Sequence, residues 1–149
     1  VQPLVMFTVM ILDAIWGAVV HMSEDSFKNG RFGFLEKIIL TPSHHRVHHA
    51  SNDIYMDTNF CSIISIWDRL FGTYQEEKHE VPIKYGTTRD MDSTNFMDVY
   101  FIEFIDLWKD VKNAKGLKNK LLYIIMPPGW SPEGELMTAK ILRNKALGK

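Results

Sequence analysis

The 149-residue chain contains one cysteine, Cys61. A single thiol excludes an internal disulfide framework and a cysteine-based zinc finger. Set in an apolar helical pattern, Cys61 reads as a small core side chain. The formal net charge is only −1, and no Lys/Arg-rich run with interleaved aromatics occurs, which excludes an overall drive toward nucleic acid. A secretory signal peptide does not fit either, because the N-terminal apolar stretch has no basic flank and no small-residue cleavage site. Strand-like alternation is scarce, and there is no internal repeat or low-complexity tract. The expectation is therefore an all-α fold of about one domain's size. The chain opens on Val1 and is read as a piece of something longer.

Apolar and aromatic side chains are abundant. Nine phenylalanines, five tyrosines, four tryptophans and eight methionines suit either a dense core or a lipid-facing surface. Residues 4–20 are apolar except for Thr8 and Asp13. This length is the lower limit for crossing a bilayer, and a buried core helix is the alternative. Asp13 is the oddity, since a carboxylate at membrane depth is costly and turns toward protein or a polar path. Residues 22–34 form a polar connector punctuated by glycine. Phe60, Ile63, Ile64, Trp67, Leu70 and Phe71 recur at helical spacing. That spacing predicts a packed helix from about Asp57, ended by Gly72 as a C-terminal cap. Residues 96–112 read as an amphipathic helix with a wide aromatic face, for the core or for a membrane surface. A further helix runs over 114–126, broken by Pro127-Pro-Gly-Trp130.

The densest chemistry is in Thr41-Pro-Ser-His-His-Arg-Val-His-His49, which holds four of the six histidines. At about 100° per residue, His44, His45, His48 and His49 fall within an arc of roughly 140°, with Arg46 and Val47 opposite. Neutral imidazole is the commonest metal ligand. Thr41 suits an N-cap and Pro42 the first helical position. The positive end of the helix dipole then disfavours imidazolium at His44 and His45, which keeps them able to ligate. A solvated histidine-rich turn is the bland alternative. His79, in a charged run, reads as solvated.

This block, with Tyr55-Met-Asp-Thr-Asn-Phe60 and Ile66-Trp-Asp-Arg-Leu-Phe-Gly-Thr73, resembles the fatty acid hydroxylase/sterol desaturase superfamily. Within it, the chain is similar to the alkylglycerol monooxygenase-like branch. Val81-Pro-Ile-Lys-Tyr-Gly86, Leu107-Trp-Lys-Asp-Val111 and Pro127-Pro-Gly-Trp130 extend the resemblance over roughly residues 10–135. It implies an integral-membrane, histidine-ligated di-iron enzyme, with its histidine site on the cytoplasmic side. It also implies O2-dependent hydroxylation or desaturation of a lipid, with electrons from an external donor or redox partner. The last histidine box of the family maps onto His45, His48 and His49 as iron ligands. His21 matches an isolated ligand that ends the preceding membrane helix, and His44 a position that is histidine in many members. Some members carry another histidine where this chain has Gly17. Asp57 and Asn59 match an Asp-x-Asn feature, implying either orientation of a ligating histidine or helix capping. The family's two earlier histidine boxes have no counterpart before His21. The chain is accordingly read as the C-terminal part of such an enzyme over 1–135, with a membrane helix at 1–20 and a basic tail at 136–149, silent on its own.

Two rival classes stand beside this reading. One is a zinc hydrolase, with Glu36 or the Glu24–Asp25 pair as general base, although neither sits in a His-Glu-x-x-His arrangement. The other is a non-catalytic membrane module that binds metal weakly.

Overall fold

The computed structural model describes residues 2–26, 28–89, 91–132 and 137–149. Six α-helices occur among them: α1 Pro3–Val20, α2 Pro42–His48, α3 Ile66–Phe71, α4 Phe96–Asn113, α5 Gly116–Ile125 and α6 Ala139–Ala146. There is no strand among the described residues, only isolated bridges at Ile39–Ile64 and Ala50–Tyr85. The expectation of a helical fold holds. The chain divides into two compact units, 1–86 and 87–149.

In the first unit, α1 has Pro3 in its first turn, where a missing N–H costs nothing. The Thr8 hydroxyl donates to the Leu4 carbonyl at 2.9 Å and so hides its polarity within the helix. α1 is long and apolar enough to cross a membrane by length and composition. Only Val20 is buried, so α1 is not the core helix of this unit. The core lies behind α2 instead, in Leu40, Val47, Ile54 and Tyr55. The turn around Gly30 packs on this rear side. A Cβ at Gly30, whose φ is +71°, would come within 2.8 Å of the Pro42 Cβ.

The helix expected from Asp57 is cut short at its start. Asp57 and Asn59 both take left-handed φ, 51° and 52°, which no helix accepts. The Asp68 carboxylate then caps the freed backbone, taking the N–H of Phe60 at 2.9 Å and of Cys61 at 3.0 Å. Only α3 remains, closed by Gly72 in the left-handed region as its sequence predicts. Trp67, Leu70 and Phe71 are not packed; they are 58%, 67% and 74% exposed.

The second unit pairs α4 with α5 and adds α6, so part of the expected basic tail is helical; residue 136 lies outside the described residues. The Asn95 side chain caps α4 by accepting the Met97 N–H at 2.9 Å. Asp106 takes ion pairs from Arg89 and Lys109. The aromatics of α4 are surface rather than core: Phe96, Tyr100, Phe104 and Trp108 are all exposed. Pro127–Trp130 ends the α5 region, with Trp130 edge-on to Tyr123 at 5.4 Å between centroids.

Candidate metal centre

α2 begins as its sequence predicts, with Thr41 as N-cap and Pro42 first. Its rear face is fixed by buried polar contacts. Arg46 pairs with Glu77 at 2.7 Å, and the Ser43 hydroxyl donates to the same carboxylate oxygen at 2.6 Å. Val47 is fully buried beside them. Arg46 and Val47 therefore do point away from the ligand face, and the anchored rear face sets the direction of the front.

On the front, His45 Nε2 lies 3.0 Å from His21 Nε2 and 3.0 Å from His49 Nε2. The ligand atoms of His21, His45 and His49 all fall within 4.8 Å of one another. His21 follows the last turn of α1, and its Nδ1–H donates to the Gly17 carbonyl at 2.6 Å. That bond assigns the tautomer and leaves Nε2 as a lone pair turned to the cluster. His45 Nε2 has two nitrogen neighbours, yet a neutral ring makes one hydrogen bond through it. Protons alone leave part of this contact unsatisfied, whereas one cation satisfies all three lone pairs. Imidazoles bind an ion at about 2.1 Å, so nitrogens closer than about 4.2 Å can share one, as the two 3.0 Å pairs through His45 are. The donor set fits a divalent metal.

Burial, with the neighbouring imidazoles of His21, His49 and His48, holds His45 down at about 4. His49 is lowered by burial and by His48 and His21. Both shifts favour the neutral ring, the form that ligates.

His48 sits at the rim of the group. Its Nδ1–H donates to the Thr58 carbonyl at 3.0 Å, freeing Nε2, and its ring meets Phe60 edge-on at 5.8 Å. The Thr58 carbonyl is aimed by the left-handed residues on either side, Asp57 and Asn59. Asn59 itself is buried and works on backbone. Its amide donates to the His44 carbonyl at 3.0 Å and the Gln75 carbonyl at 2.8 Å. Asp57 is exposed.

His44 is not brought to the cluster. Its Nδ1 accepts the Thr41 N–H at 3.3 Å, completing a capping box, and its Nε2–H donates to the Tyr74 hydroxyl at 2.9 Å. The helical arc put it on the ligand side, but capping turns the ring back over the helix start. Burial, then the Arg69 guanidinium, lowers it to about 4. His79 is exposed, as expected.

The cluster opens into a cavity of about 770 Å3 lined by Val20, His21, Met22, Asp25, His45, His49 and Tyr85, among others. Asp25, one of the acidic pair named as a candidate hydrolytic base, lines this cavity together with the histidines, whereas Tyr85 carries no metal-ligand spacing and sequence reasoning passed it over. Of the hydrolytic base candidates, Glu36 accepts the Phe32 N–H at 2.9 Å and caps a turn. The side chain of Glu24 lies outside those described.

The fatty acid hydroxylase family model matches residues 1–73. Over 100 residues the chain is 42% identical to an alkylglycerol monooxygenase of Danio rerio and 38% identical to one of Homo sapiens. Over 112 residues it is 37% identical to one of Caenorhabditis elegans. Each match covers 67% of this chain and 22% of the relative. No solved structure matches. The chain belongs to the fatty acid hydroxylase superfamily, in its alkylglycerol monooxygenase-like branch.

Proposed function

We propose that this chain carries one side of the metal centre of an iron-dependent lipid monooxygenase, with an alkylglycerol as substrate. The observation that carries the reading is the convergence of the Nε2 atoms of His21, His45 and His49 at the end of an apolar helix. The relatives' activity supports the substrate class. Bound iron supplies the redox step that lets dioxygen oxidise an unactivated C–H bond, which zinc lacks.

The protein's own part is position and enclosure. His21, His45, His48 and His49 are the ligands, with His21 and His48 oriented through Nδ1 by the carbonyls of Gly17 and Thr58. His44, Asp57 and Asn59 are positioning residues: His44 caps α2, and the other two shape the turn that offers Thr58. A di-iron centre needs more donors than these four, so the rest of the polypeptide completes the set, and this chain alone is silent. α1 crosses the membrane with the histidines at its cytoplasmic end. The alkyl chain enters past Val20 and Met22, and electrons come from an external donor.

Metal analysis tests this on the full-length polypeptide after anaerobic iron loading. Two irons per chain are expected. One zinc and no iron would overturn the reading in favour of a hydrolase.

A further inference from the structure

α3 is amphipathic with its polar side inward. Asp68 is 2% exposed, while Ile66, Trp67, Leu70 and Phe71 stand in solvent at 47–74%. A soluble surface helix does the reverse, burying the apolar stripe. The turn at Gly33–Lys37 is joined to it: the Ser65 N–H donates to the Ile38 carbonyl at 2.8 Å, and Arg69 reaches the Glu36 carbonyl at 3.1 Å. That turn also exposes apolar side chains, Phe34 at 74% and Leu35 at 40%, followed by Ile38 at 46%. An apolar surface of this extent marks a partner rather than ordinary surface.

Its attachment to α1 says which partner. Trp16 donates its indole N–H to the Ser62 carbonyl at 3.2 Å, and the Ser62 hydroxyl donates to Asp13 at 3.4 Å. The Trp16 ring meets Phe32 edge-on at 6.4 Å. These contacts lie five to eight residues before His21, about 8–12 Å along the helix axis from its polar end. The loop that leads into α3 is thus held at a level where α1 itself is apolar and exposed. It also gives Asp13, otherwise costly in an apolar helix, a polar neighbour.

We propose that Phe34, Leu35, Ile38, Trp67, Leu70 and Phe71 form a second membrane contact, seated in the headgroup and upper acyl region of the leaflet beside α1. Trp67 suits that zone, where amphipathic rings concentrate, and a short helix with one apolar face lies in the interface plane. The contact holds the histidine cluster at the leaflet surface. It rests on the reading of α1 as a membrane helix, and the two can be separated.

The test uses the full-length polypeptide in phosphatidylcholine vesicles, with Cys61→Ser as background and nitroxides at Leu70→Cys, Val9→Cys and Glu80→Cys in turn. Relaxation by oxygen and by a water-soluble nickel chelate is compared, in variants that keep their metal content. At residue 70 oxygen should exceed nickel, with a ratio between those at 9 and 80. A residue 70 that resembles residue 80 would overturn the proposal, as would a label shielded from both reagents, which means protein cover. If residue 9 itself reads as aqueous, the membrane reading of α1 fails and takes this one with it. As a check without labels, the change Trp67→Phe should remove part of the tryptophan quenching caused by brominated lipid. Unchanged quenching would overturn the proposal too.

Discussion

His44 and His45 are consecutive in the chain and meet different chemistry. His45 has its Nε2 among two other imidazoles, while both nitrogens of His44 are bonded within the fold. His45→Ala should leave turnover of the full-length enzyme below about a tenth of wild type, a rise of more than ~1.4 kcal/mol in the barrier. His44→Ala should keep the metal and lower stability by about 1–3 kcal/mol, because the Thr41 N–H and the Tyr74 hydroxyl lose a partner. Metal analysis alongside denaturation in detergent separates them; equal metal loss in both variants would make His44 a ligand after all. The doublet spacing made the histidines legible in the sequence. What it could not convey was which ring would be taken by a cap, since that depends on Thr41 three residues earlier and Tyr74 thirty residues later.

Asp68 is the second case at this scale. Burial pushes its carboxyl up, but hydrogen bonds from the Thr73 hydroxyl, from Cys61 and from the Phe60 N–H outweigh this and hold it below 3.8. A lowered folded value means stability that is present above the unfolded value and lost as pH falls below it. Wild type should therefore lose urea stability more steeply than Asp68→Asn below about pH 4. Parallel curves would contradict the assignment.

Among the elements, α1, α2 and α4 follow from their sequences because each pattern is local: a long apolar run, a Thr-Pro start, an amphipathic spacing with a wide aromatic face. The start of α3 was illegible for the opposite reason. The spacing of Phe60, Ile63, Ile64 and Trp67 matches a helix, but left-handed residues and a carboxylate eight residues onward claim that backbone. Periodicity also could not reveal that the apolar face points outward. Trp67→Ser should accordingly shift stability in detergent by no more than about 0.5 kcal/mol, as for surface sites. A loss of about 3–5 kcal/mol would mean that the ring is buried. Gly72→Ala isolates backbone strain, since φ is +72° and no atom lies within 4 Å of the added Cβ. It should cost about 1 kcal/mol in the same assay.

For the whole molecule, the proposed function has this chain carry part of a ligand set beside a membrane helix. The chain spans 22% of the curated relatives it matches. Expressed alone, it should associate with membranes through α1 and bind divalent ions weakly, in the order copper, zinc, iron, by intrinsic affinity rather than selection. Metal titration of the detergent-solubilised chain reads this order directly, and iron-selective binding would contradict it. Oxygen consumption by the complete enzyme is the decisive measurement. Iron-loaded full-length polypeptide, given an alkylglycerol and an external reductant, should consume one O2 for each lipid converted, and the His45→Ala variant should consume none above background. Lipid conversion without oxygen, or undiminished consumption by His45→Ala, would contradict the account.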